Sequence, residues 1–164
     1  MDEQELTALI ERYSGTVFRA AFCYVKNRAE ADDIMQDTFL AFLCEVRGGK
    51  RFRDGDHIRA WLIRTAVNRA KNVLRAGRTR LCVPLEQAQD VAACEPKGAD
   101  GTLPLLMQLD EKYRLALYMF YYEEFSVREI AAVLGQTTTA VTTRLSRGRK
   151  KLAELLTEEG HDGY

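Results

Sequence analysis

The chain has 164 residues, 46% of them hydrophobic and 29% charged, and its formal net charge at pH 7 is zero. These values are typical of a soluble globular protein with one medium domain or two small ones. No apolar run approaches the roughly 18 residues that a membrane span needs, and the acidic N-terminus lacks the basic and then apolar order of a signal peptide. We therefore expect a cytoplasmic protein with no membrane insertion.

The charges are segregated along the chain. Residues 47–80 carry 11 basic and 2 acidic side chains, and residues 128–151 carry 6 basic and 1 acidic. The segments 1–46, 81–127 and 152–164 are acidic, with net charges of −5, −5 and −4. A total of zero therefore does not exclude nucleic-acid binding, because attraction to phosphate depends on the local charge.

The four cysteines form no C-x-x-C pair, and the two histidines, His57 and His161, lack metal-ligand spacing to them. We expect free thiols in a reducing cytoplasm, with no metal and no cofactor. A redox switch or a metal site stays open as the less favoured alternative.

Helical periodicity dominates the chain and predicts an all-α fold. All three prolines lie in or next to residues 82–102, a stretch with glycines and acidic residues but without sustained apolar spacing. We therefore predict two small helical domains, residues 1–80 and 102–164, joined by a flexible linker over residues 81–101.

The apolar spacing of the N-terminal domain predicts four helices, with approximate bounds 6–13, 15–25, 28–46 and 57–76. Asn27, with Glu30 in capping-box position, begins the third helix, and the glycines after residue 47 end it. Asp56 is the expected N-cap of the fourth helix.

The fourth predicted helix has a buried apolar face and a second face of unusual chemistry. The second face combines an aromatic ring with amides and cations: Trp61, Arg64, Asn68, Lys71, Asn72 and Arg75. No acidic residue occurs between His57 and Leu85. Rings stack on unpaired bases, cations bind phosphate and amides pair with base edges, so this face favours nucleic-acid binding. The alternative is a solvated face with a tryptophan at its edge.

The third predicted helix also has a second face, formed by Asp33, Gln36, Asp37 and Leu40. An acidic surface with a leucine in it is either simply solvated or a docking site for a basic partner protein. Periodicity leaves both interpretations open.

The strongest local pattern lies in the C-terminal domain and predicts a helix-turn-helix. Ser126 and Glu129 form a capping box, Gly135 ends the helix that follows, and Thr137 or Thr138 caps a second helix. The expected helix bounds in this domain are 103–108, 109–123, 127–134 and 138–156. The last helix exposes hydroxyls and cations that can bind phosphates and base edges: Thr139, Thr142, Thr143, Ser146, Arg147, Arg149 and Lys150. The alternative is an ordinary pair of helices with a basic surface.

Three stretches together resemble a group 4, extracytoplasmic-function sigma factor of bacterial RNA polymerase, from the sigma-70 family. Residues 31–40 (ADDIMQDTFL) resemble region 2.2 of that family. Phe52-Arg53 and the WLIRTAVN sequence that begins at Trp61 resemble regions 2.3 and 2.4, and residues 126–152 resemble region 4.2. The order of the stretches, with a linker between them, makes the resemblance specific.

The resemblance implies a transcription initiation factor that docks on core polymerase and opens promoter DNA. Docking on the β′ clamp would use Asp33, Gln36, Asp37 and Leu40, and the β flap would be a further contact. The −10 element would be recognised by Phe52, Trp61, Arg64, Asn68, Lys71 and Arg75. The −35 element would be read by Thr139, Thr142, Thr143, Ser146, Arg147 and Arg149. The resemblance also implies an anti-sigma factor as a partner, and neither enzymatic activity nor a small-molecule substrate.

Two other classes of protein stay open. A helix-turn-helix regulator that does not join core polymerase would leave the faces around Asp33 and Asn68 unexplained. An enzyme is disfavoured, because the chain has no Ser/His/Asp or Cys/His grouping and no glycine-rich phosphate loop.

Thr142 stands where many relatives place Lys or Arg, so no base preference at −35 is predicted.

Overall fold

The structure is a computed structural model, which describes residues 1–76 and 103–158. These residues form seven α-helices and no strand, which confirms the all-α class. The chain divides into two compact units, Met1–Gln87 and Ala88–Tyr164. The predicted linker over residues 81–101 lies outside the described residues, and the domain limits drawn from it stay a prediction.

The three helices of the first unit are α1 (Glu3–Val25), α2 (Arg28–Arg47) and α3 (Gly55–Ala76). The prediction of separate helices over 6–13 and 15–25 is wrong, because α1 continues through Gly15. Tyr13 and Val17 are both buried and lie about one turn apart, on either side of this glycine. Their burial outweighs the roughly 1 kcal/mol that a glycine costs inside a helix.

The predicted start of α2 is confirmed. The Asn27 side chain accepts a hydrogen bond from the backbone N–H of Glu30 at 2.9 Å, and the helix ends before its C-cap, Gly48. α1 has a comparable start, since the backbone N–H of Glu5 donates to Asp2 Oδ1 at 2.7 Å and the two residues form a capping box. Both caps satisfy backbone donors that a helix start leaves without partners.

α3 begins earlier than predicted, and its cap is Asp54 rather than Asp56. Asp54 Oδ1 accepts a hydrogen bond from the backbone N–H of His57 at 2.8 Å. In return, His57 Nδ1 accepts the backbone N–H of Arg53 at 3.1 Å, which ties the preceding loop to the first turn. Asp56 lies within that first turn, with its carboxylate 3.8 Å from the guanidinium of Arg59.

The three helices enclose a core to which each contributes fully buried side chains, namely Val17, Phe42, Leu62, Ile63 and Val67. A polar contact links α1 to the start of α3, because the Tyr13 hydroxyl donates to the carbonyl of Gly55 at 3.1 Å. A Cβ at position 55 would lie 2.9 Å from that hydroxyl oxygen, so the close approach depends on the glycine. The contact fixes the end of the loop that precedes α3.

The four helices of the second unit are α4 (Leu103–Leu106), α5 (Glu111–Tyr121), α6 (Val127–Leu134) and α7 (Thr138–Glu158). The helices predicted over 103–108 and 109–123 are shorter than expected, because a turn separates α4 from α5. The buried Arg114 stabilises this turn by donating from Nη1 to the carbonyl of Leu109 at 3.0 Å.

α6 and α7 form the predicted helix-turn-helix. The side chains and backbone N–H groups of Ser126 and Glu129 bond reciprocally, at 3.0 and 3.1 Å, which confirms the capping box. Gly135 has a φ of 66°, the left-handed conformation that glycine adopts without steric cost. Thr137 Oγ1 accepts the backbone N–H of Ala140 at 3.1 Å, so Thr137 is the cap of α7.

No helix within residues 1–76 and 103–158 is long and apolar enough to cross a membrane. Over the same residues, no group of three or more His, Cys, Asp and Glu side chains is arranged to hold a metal ion. Cys23 is buried and Cys44 is exposed, and neither forms a disulfide bond among the described residues; the other two cysteines lie outside them.

Candidate nucleic-acid interface

One side of α3 carries the cations and the two amides that were predicted to face outward, and both Asn68 and Asn72 are exposed. Arg64, Asn68 and Arg75 are exposed, while Trp61 and Lys71 are half-buried. Their spacing of three to four residues lines them up over roughly 20 Å of the helix. We call these five residues the α3 stripe. It presents positive charge and hydrogen-bonding groups without an intervening carboxylate.

Four rings from three segments pack together at the start of the α3 stripe. Phe52, in the loop before α3, lies 5.1 Å from Phe42 of α2 and 5.9 Å from Trp61 between ring centroids. His57 lies 5.1 Å from Phe52, and Phe42 lies 5.8 Å from Trp61. Tilted and edge-on contacts of this kind hold the loop ring in place. We call these four residues the aromatic cluster. Helical spacing alone does not predict it, because linear spacing carries no signal of a ring contact between helices.

A cation covers the aromatic cluster. Lys50 Nζ lies 5.5 Å from the centroid of Phe52 and 5.4 Å from that of Trp61, within the range of a cation–π interaction. The same ammonium is 3.3 Å from Glu45 Oε2. The half-buried rings of Phe52 and Trp61 offer a stacking surface, and the cations of the α3 stripe offer positive charge for phosphate, while Phe42 is fully buried beneath them.

The exposed side of α7 carries the hydroxyls and cations predicted for it. Ser146 and Arg147 are exposed. The Thr142 hydroxyl donates to the carbonyl of Thr138 at 2.9 Å, and the Thr143 hydroxyl donates to that of Thr139 at 3.0 Å. Because these hydrogens are engaged along the helix, the two hydroxyl oxygens are left as acceptors for a donor on a DNA base.

Arg149 is an exposed cation of α7 that contacts α5 through a hydrogen bond and two rings. Its Nε donates to the hydroxyl of Tyr121 at 2.6 Å. The guanidinium carbon lies 5.2 Å from the centroid of Phe120 and 5.7 Å from that of Tyr121. The partners are 28 residues apart in the chain, so the pattern of α7 alone does not predict the contact.

The second face of α2 is exposed. Asp33, Gln36 and Asp37 all lie on the surface, and Leu40 has 60% of its area accessible. Because these residues recur at intervals of three to four, they share one side of the helix. We call them the α2 face; a leucine beside two carboxylates can pack against a basic protein surface.

Comparison with known proteins assigns both units to one family. Residues 9–80 match the model of sigma-70 region 2, and residues 104–152 match that of sigma-70 region 4. The chain is 33% identical over 142 residues to the RNA polymerase sigma factor CarQ of Myxococcus xanthus, a match that covers 82% of this chain and 79% of CarQ. The chain belongs to the sigma-70 family of RNA polymerase sigma factors. The α2 face and the α3 stripe of this sigma factor lie within the region 2 match, and α7 begins within the region 4 match.

Further relatives define the subgroup of the sigma factor. It is 29% identical over 157 residues to the extracytoplasmic-function sigma factor SigM of Mycobacterium tuberculosis, covering 94% of this chain and 79% of SigM. The structure of CnrH, a sigma factor of Cupriavidus metallidurans, in complex with the cytosolic domain of CnrY superposes with a TM-score of 0.67 at 28% identity. That match covers 96% of this chain and 90% of CnrH. The protein is an extracytoplasmic-function sigma factor, and its function is in transcription initiation.

Proposed function

We propose that the sigma factor opens the −10 element with the α3 stripe and the aromatic cluster, and reads the −35 element with α7. The observation that carries this proposal is the combination of exposed Asn68 and Arg64 with half-buried rings under Lys50. Strand opening requires a base to leave the stack, and a ring beside cations and an amide accommodates such a base. Exposed Ser146 and Arg147 give α7 the side chains that a major-groove helix uses.

The α2 face is the proposed docking site on core polymerase, through the β′ clamp. Leu40 supplies an apolar centre, and Asp33 and Asp37 supply a carboxylate rim that complements a basic partner. The second unit is proposed to contact the β flap. A helix-turn-helix regulator that acts without polymerase would have no use for this face.

An anti-sigma factor is the second proposed protein partner. The structure of CnrH holds the cytosolic domain of CnrY, and that sigma factor resembles this chain over most of its length. We further propose that the factor acts in the cytoplasm as a DNA-binding initiation factor, without catalysis, a cofactor or a small-molecule substrate.

Transcription with purified core polymerase tests the proposed function. Genomic DNA of the host is transcribed with core polymerase and the full-length factor, and the start sites are mapped and aligned. A shared pair of elements upstream of these sites is the expected result. Absence of binding to core polymerase would contradict the proposal and favour a regulator that acts alone.

Two variants then separate the roles of the two units. Asn68→Ala should lower open-complex formation at least about fivefold while core binding is unchanged, because the amide contact to a base is lost. Arg147→Ala should weaken binding to promoters that depend on the −35 element by a similar factor. Gln4→Ala, an exposed amide on α1, and Lys112→Ala, an exposed cation on α5, are the controls. Equal effects of variant and control would contradict the assigned roles.

A further inference from the structure

Tyr121 is an exposed aromatic residue whose hydroxyl and ring both contact the guanidinium of Arg149. It has 52% of its area accessible, and its hydroxyl accepts the Nε–H of Arg149 at 2.6 Å. Its ring and that of Phe120 stand edge to face, with centroids 5.1 Å apart, and the guanidinium lies within 6 Å of both centroids. Phe120 and Tyr121 thus form a shelf at the end of α5 on which Arg149 rests.

The packing of α5 against α7 explains why these residues meet. Gly148, directly before Arg149, is buried, and a Cβ there would lie 2.9 Å from Leu117 Cδ1 and 3.2 Å from Tyr113 Cβ. The missing side chain therefore lets α7 pass close to α5 at this point. Arg149, the next residue of α7, therefore lies over the last turn of α5, beside the rings of Phe120 and Tyr121.

The geometry restricts how Arg149 can bind a ligand. A guanidinium has five N–H groups in one plane, and it binds a phosphate bidentately either through Nε and one Nη or through both Nη atoms. Because Nε donates to Tyr121, the edge formed by the two Nη atoms is left for a ligand. Among residues 1–76 and 103–158, the Arg149 guanidinium has this one hydrogen bond. Because the two rings already restrict the Arg149 side chain in the free protein, it loses less conformational entropy when it binds a ligand.

We propose that Tyr121 is a positioning residue for promoter recognition, which holds Arg149 so that its two Nη atoms grip one phosphate of the −35 duplex. The inference rests on the proposed reading of −35 DNA by α7, and it adds a residue outside the helix-turn-helix. Phe120 contributes only through its ring face. Tyr121 itself makes no contact with DNA in this arrangement.

A double-mutant cycle on the full-length factor in holoenzyme tests this role. Promoter binding is measured over a range of salt concentrations for the unmodified factor, Tyr121→Phe, Arg149→Ala and the double variant. Arg149→Ala should make the negative slope of log K against log salt less steep by about 0.9, the value for one lost phosphate contact. Tyr121→Phe, which keeps the ring, should weaken binding about three- to tenfold. In the Arg149→Ala background, Tyr121→Phe should have no further effect.

The outcomes separate this inference from the function on which it rests. If Tyr121→Phe matches the unmodified factor, or weakens binding equally with and without Arg149, the positioning role is overturned. If Arg147→Ala weakens binding in the same assay while Tyr121→Phe does not, only the positioning role of Tyr121 is rejected, and the reading of −35 DNA by α7 is kept. If Arg147→Ala and Arg149→Ala both leave binding unchanged, the reading of DNA by α7 falls and the inference falls with it. A thermal unfolding midpoint unchanged by Tyr121→Phe excludes a general loss of structure.

Discussion

Gly15 in α1 and Gly148 in α7 both lie inside long helices, but their surroundings differ. Gly15 is exposed, and an added Cβ would meet only the far end of the Arg19 side chain, at 3.0 Å. Gly148 is buried against Leu117 and Tyr113, as described above. The same substitution should therefore affect the free energy of unfolding differently at the two positions.

Gly148→Ala should lower the free energy of unfolding by about 1–3 kcal/mol, because the methyl group forces α5 and α7 apart in a filled core. Gly15→Ala should leave it unchanged or raise it by up to about 1 kcal/mol, through better helix propensity alone. Denaturant unfolding followed by circular dichroism measures both variants. A stabilised Gly148→Ala would mean that α5 and α7 are packed less closely than the structure indicates.

Local residue patterns predicted which side chains are exposed, but not which of them meet. The exposure of Asn68, Arg147 and Asp33 follows from helical periodicity, a property of a few turns of chain. The contacts of Arg149 with Tyr121 and of Lys50 with Trp61 depend on how two segments cross. Such crossings are fixed by packing over the whole unit, so no short window of sequence encodes them.

At the scale of helices, the caps were predictable where one residue alone could serve. Ser126 is followed by Glu129 in capping-box position, and Asn27 stands directly before α2. Before α3 two aspartates compete, and Asp54 takes the role because the hydrogen bond from Arg53 to His57 closes the loop around it. The outcome was decided by the loop and not by the intrinsic preference of either aspartate.

Asp54→Ala should lower the free energy of unfolding by about 1 kcal/mol and loosen the loop that carries Phe52, since the cap is lost. Asp56→Ala is the matched control, with an expected loss below about 0.5 kcal/mol, because its pairing with Arg59 is at the surface. Trp61 is the sole tryptophan of the chain and lies edge-on to Phe52, so its fluorescence reports on both the loop and unfolding. Equal losses for the two variants would contradict the assignment of Asp54 as the cap.

At the scale of the whole molecule, the zero net charge combines regions of opposite sign. The basic block 47–80 supplies the α3 stripe and the loop before it, and the basic block 128–151 supplies most of α7. The segment 1–46 is acidic and carries the α2 face. A neutral total limits non-specific attraction to DNA, so the basic surfaces should bind promoters chiefly when polymerase positions the factor.

Two matched charge reversals separate the effect of total charge from that of the α2 face. Asp33→Lys with Asp37→Lys, and Glu154→Lys with Glu158→Lys, each replace two exposed acids spaced four residues apart on one helix. Each pair raises the net charge from zero to about +4, because every reversal adds two charges. Both pairs should therefore strengthen non-specific DNA binding by the free factor to a similar extent.

Only the reversal on α2 should weaken binding to core polymerase, by about a hundredfold, because like charges would then oppose a basic docking surface. Titration of core polymerase into fluorescently labelled factor, read by anisotropy, measures this affinity. Normal core binding by the Asp33 and Asp37 variant would reject the α2 face as the interface. A comparable loss in the Glu154 and Glu158 variant, on α7, would instead attribute the effect to total charge or to the proposed flap contact of the second unit, and not to the α2 face.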